Sequence, residues 1–128
     1  MTKDEALIEL CKALLQDPKL VSQEGWQKLV VICEVEEGAT SVFGYSYNLS
    51  GEGKLTSPSL DFDTDKVKAL YEATKAENDT GRGWLKCMIR ISRLGEIGAD
   101  FEYNDAKRWE HTTDNYKERI KEYAAMPV

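Results

Sequence analysis

Apolar positions along this chain follow two rhythms, one near 3.6 residues and one of two, and their boundaries predict seven elements. Thr2 with Glu5 has the form of a capping box. Leu7, Leu10, Cys11 and Leu14 follow at helical spacing, and Asp17-Pro18 stops the helix. Residues 27–35 read as a strand whose run from Leu29 to Cys33 is apolar throughout, so both of its faces are covered and it lies inside a sheet. Glu36-Glu37-Gly38-Ala39 is a hairpin turn, and residues 40–47 return with Phe43, Tyr45 and Tyr47 on one face. Residues 48–60 form a loop with room for a short strand near Leu55. A second helix covers 64–78, with Val67, Leu70, Tyr71 and Thr74 on one face and Asp63 or Thr64 as its cap.

Residues 84–92 and 96–103 alternate strictly, which predicts two strands with one wet face carrying Trp84, Lys86, Asp100 and Glu102. Opposed residues must share a face. That condition pairs Ile91 with Ile97, Cys87 with Phe101 and Lys86 with Glu102, an exposed pair. It also requires a three-residue loop, Arg93-Leu94-Gly95, with Gly95 left-handed. A last helix covers 113–125, capped by Thr112 or Thr113, with Tyr116, Ile120, Tyr123 and Ala124 as its stripe. The expected fold is one α+β domain over 1–128, in the order α-β-β-α-β-β-α. Its four-stranded antiparallel sheet carries helices mainly on the face of Cys87, Ile89, Ala99 and Phe101.

Charge sharpens this picture. The net charge of −6 disfavours nucleic acid or an anionic membrane as partner. Residues 1–65 hold 5 Lys/Arg against 12 Asp/Glu, whereas residues 66–128 hold 12 against 11. A basic partner would therefore be drawn to the first half, at Glu34, Glu36 and Glu37 around the first hairpin or at Asp61, Asp63 and Asp65 before the second helix. Cys11, Cys33 and Cys87 each sit alone in an apolar run, and their odd number argues for buried thiols and a reducing compartment. The charged start and the absence of a long apolar run point to the cytoplasm.

No motif reads as a catalytic or metal centre, so no enzyme activity and no cofactor are expected. Asp61, Asp63, Asp65 and Glu72 imitate a calcium loop, but Lys66 stands where glycine is needed. His111 is the only histidine and reads as a solvated loop residue. Gly51-Glu52-Gly53 and Gly81-Arg82-Gly83 lack the spacing of a phosphate loop.

The run Phe101-Glu102-Tyr103-Asn104-Asp105-Ala106-Lys107-Arg108-Trp109, followed by Thr113 and Asn115, resembles a segment of the YezG-like bacterial immunity proteins. These belong to polymorphic toxin and contact-dependent growth inhibition systems. The resemblance implies a cytoplasmic, non-enzymatic inhibitor that binds one cognate toxin domain. The acidity of the chain suits a basic nuclease as that toxin. The alternative expectation is a regulatory or adaptor domain that binds a housekeeping protein or a small ligand through the aromatic face of strand 40–47.

Overall fold

Strand β1 (Trp26–Glu36) decides the architecture, because Leu29 to Cys33 are all fully buried. Such a strand needs neighbours on both sides and layers on both faces. The computed structural model, which describes residues 1–128, supplies them. β1 pairs with β2 (Ala39–Asn48) on one side and β4 (Lys86–Ser92) on the other. β3 (Gly53–Thr56) and β5 (Ile97–Glu102) form the edges, giving an antiparallel order β3-β2-β1-β4-β5.

The sheet thus has five strands, not the four expected. β3 has only four residues, its Lys54 and Leu55 are exposed, and no period can be read from so short a run. The expected registers are present: Ile91 faces Ile97, Cys87 faces Phe101 and Lys86 faces Glu102. Gly95 has φ +97°, and the Ser92 amide donates to the Glu96 carbonyl at 2.9 Å, closing the three-residue loop. At the first hairpin Glu37 and Gly38 have φ of 50° and 82°, the two left-handed residues that a tight two-residue turn requires.

Helices α1 (Lys3–Gln16) and α2 (Asp65–Glu77) cover the face of Leu29, Val31, Cys33, Cys87, Ile89 and Ile91. Thr2 and Glu5 form the capping box that starts α1. At its end Asp17 is buried, and its carboxylate accepts from the amides of Lys19, Leu20 and Ser59 at 3.0–3.2 Å. The stop at Asp17-Pro18 is therefore also a clamp on the loop before α2.

The opposite face is not wet. Val30, Ile32, Tyr45, Tyr47 and Met88 form a second core with Trp109 and Tyr123, which come from the C-terminal segment and helix α3 (Tyr116–Ala124). Each fully buried large side chain there contributes about 1.5–3 kcal/mol. Three expectations change as a result. Lys86 is 4% exposed and forms no ion pair with Glu102, which instead binds Arg108 at 2.9 Å. Trp84 leaves the strand alternation, because β4 begins only at Lys86, and packs edge-on against Tyr71 in the first core, with ring centres 5.5 Å apart. His111 is half-buried, stacked on Phe43 with ring centres 4.1 Å apart, and its Nδ1 shares a 3.2 Å hydrogen bond with the Tyr45 hydroxyl.

Glu102 organises the crossing from one face to the other. One carboxylate oxygen accepts from the amides of Asn104 and Asp105, and the other from Arg108. Trp109 then takes φ +60°, an unusual value outside glycine, and its burial and the Arg108 guanidinium over its ring hold it there. Thr112 caps a turn ahead of α3 rather than α3 itself: its hydroxyl accepts from the amides of Asp114 and Asn115. Within the run from Phe101 to Trp109, Phe101 and Tyr103 pack against the first core and Trp109 enters the second.

Candidate functional site

The two acidic clusters separate in space. Glu34 lies on β1 directly opposite Lys86 of β4, its carboxylate 4.0 Å from the ammonium. Glu36 and Glu37 stand exposed at the hairpin end and form no ion pair. These three glutamates line one cavity of about 320 Å³. Asp61, Asp63 and Asp65 are exposed and line none of the cavities. Asp63 accepts from the Asp65 amide at 3.0 Å, so it steadies the start of α2.

The cavity has an apolar floor that sequence reasoning missed. Val35, Tyr71, Trp84, Leu85 and Ala106 complete it, with Lys86 and Gly83. Gly83 explains its own identity: a Cβ there would lie 2.2 Å from the ring of Tyr71. Only glycine lets that ring lie against the backbone. A neighbouring depression of about 470 Å³ shares Val35, Glu37 and Tyr71 and adds Lys68 and Glu72 of α2. The two form one groove between the hairpin end and α2. Four glutamates line it, Glu34, Glu36, Glu37 and Glu72, together with Lys68 and Lys86.

A separate hollow of about 450 Å³ lies between Lys19, Lys54, Phe43 and His111, and is more open. Of the aromatic face of β2, Trp109 and Tyr123 cover Tyr45 and Tyr47, while Phe43 stays half-buried beside His111 at that hollow. No group of three or more His, Cys, Asp or Glu side chains is placed to hold a metal ion. α2 runs through Lys66 and Lys68, where a calcium loop would have to turn.

No family model matches this chain. Nor does any curated protein.

The charges around the sheet are firmly set. The Arg108 guanidinium and two backbone amides hold the Glu102 carboxyl down to about 2. Burial pushes the Cys11 thiol up to about 11 and Cys33 to about 12, and raises Cys87 as well. Burial, with Arg90 nearby, lowers Lys28 from its ordinary value. The thiols are free, unlike reactive cysteines in electropositive settings, and they sit in the first core. No helix is long and apolar enough to cross a membrane.

Proposed function

We propose that this chain is a cytoplasmic immunity protein that neutralises a cognate bacterial toxin domain, with a basic nuclease as the best-fitting target. The observation that carries the reading is the groove between the first hairpin and α2. It joins four glutamates to an apolar floor, and three of them, Glu36, Glu37 and Glu72, are exposed and unpaired. Lysine and arginine side chains of a partner have both parts to offer: an aliphatic stem for Val35, Tyr71 and Leu85, and a charged head for the carboxylates. A nuclease presents such residues where it holds phosphates, so occupying them also blocks its substrate.

The test has two stages. The chain is used as bait in its native host, and each captured domain is expressed alone and together with the chain. Support requires a captured domain that is toxic alone and harmless in the pair. The double substitution Glu36→Gln with Glu37→Gln should then slow association and flatten its salt dependence while the melting temperature is kept. Capture of only non-toxic proteins, or a neutralised toxin whose binding ignores the double substitution, would remove the groove from the account.

A further inference from the structure

The two edges of the sheet are finished differently. β3 is four residues long, carries the exposed Lys54 and is followed two residues on by Pro58, all features that discourage a further strand. β5 has six residues, and Ile97–Glu102 contains no lysine, no proline and no register shift. Its one mid-strand charge, Asp100, is bound by Arg90 at 2.6 Å. The Ser92 amide donates to the Glu96 carbonyl, so the alternation of an antiparallel ladder turns the backbone groups of Gly98 and Asp100 toward β4. Ile97, Ala99 and Phe101 turn theirs outward, and no hydrogen bond of a loop or cap reaches them. Ile97 is also 39% exposed, and Phe101 is half-buried.

The spacing of these outward groups complements itself. A two-fold axis at Ala99 sets Ile97 of each copy opposite Phe101 of the other, and Ala99 opposite Ala99. All three pairs are then of the hydrogen-bonded kind, and every outward N–H and C=O of both strands is used. The small Ala99 pair is flanked by two pairs of isoleucine with phenylalanine, a favourable cross-strand match. On the other face Asp100 of one copy stands opposite Gly98 of the second. The Arg90 guanidinium lies over that glycine, with the C-terminal Val128 beside it, and Arg90 also offsets Asp100 within each copy. At the ends Glu96 faces Glu102, whose charge Arg108 already offsets. We infer that the β5 edge pairs with the β5 edge of a second copy, joining two sheets into one. The inference does not rest on the toxin reading, and its test uses the chain alone.

One short strand from each copy makes an interface at the low end of the specific range, below about 1,200 Å², so the dimer should be half-formed between about 10 μM and about 1 mM. Sedimentation velocity and ¹⁵N-resolved amide spectra are recorded across that range and up to about 2 mM. The mass should rise toward that of a dimer. The amide signals of Ile97, Ala99 and Phe101 should move with concentration, while those of Gly53 and Leu55 on the β3 edge stay in place. Ala99→Pro removes an outward N–H without touching a bond to β4, and the two-fold axis doubles the loss, so the dissociation constant should rise at least about tenfold. Ile97→Lys puts a solvated charge on the same edge and should act likewise; it serves alone if melting shows that Ala99→Pro does not fold. A chain that stays monomeric throughout overturns the inference, even if it accepts an extended segment of another protein along β5. So does a dimer whose signals move at β3 rather than β5, or one that keeps its strength in a folded variant.

Discussion

The Nζ of Lys28 donates to the main-chain carbonyl of Tyr123 at 2.7 Å, joining the central strand to the end of the last helix across 95 residues of chain. The same ammonium reaches the carbonyls of Ala124 and Met126 at 3.1 and 2.7 Å and lies over the Tyr47 ring. A cation at this place satisfies carbonyls that a helix leaves unpaired and opposes its negative end.

Lys28→Met should therefore cost about 1.5–3 kcal/mol in urea unfolding, the range for hydrogen bonds to a charged group. The loss should appear first as faster amide exchange in α3, with β1 still protected. Stability within about 0.5 kcal/mol of the parent would mean that the second core holds α3 without this contact.

Acid should act through Glu102. Its folded value of about 2 lies below the ordinary 4.5, so its contribution is present above pH 4.5 and lost as pH falls toward 2. Glu102→Gln should lower the melting temperature near neutrality and flatten its fall across that window. A melting profile parallel to that of the parent would show that the crossing does not depend on the charge.

Alkali should act through the first core. The folded values of Cys11 and Cys33, about 11 and about 12, lie above the ordinary 9.0. Their neutral forms stabilise the fold fully below pH 9, and that contribution is lost as pH rises through the folded values. Urea midpoints should thus fall above pH 9, and a thiol reagent should modify the native protein only as fast as it opens. Rapid modification of the folded protein below pH 9 would contradict the burial of all three thiols.

The first core was legible because its elements repeat. Leu29 to Cys33 declare a strand covered on both faces, and the alternation of 84–92 against 96–103 admits only one register. The second core was legible only in part. The apolar run of Leu29 to Cys33 called for a layer on each face and Tyr123 lay in the stripe of the last helix, but its other closing residues stand singly. Trp109 and Met126 stand apart in polar stretches, and neither begins a period. Lys86 looked exposed because it is charged and alternates with apolar residues along its strand. The groove was half legible. The glutamates at the hairpin signalled themselves by charge, whereas Tyr71 and Trp84 reach them only through α2 and the close approach at Gly83.

The crossing segment and α3 also impose an order on biosynthesis. A chain emerging from the ribosome as far as residue 102 already contains all five strands and both helices of the first layer. It still presents Val30, Ile32, Tyr45, Tyr47 and Met88 to solvent. That bare apolar surface persists until Trp109 and Tyr123 have been synthesised and folded back. For this interval the nascent domain is a natural client for chaperones and is prone to self-association.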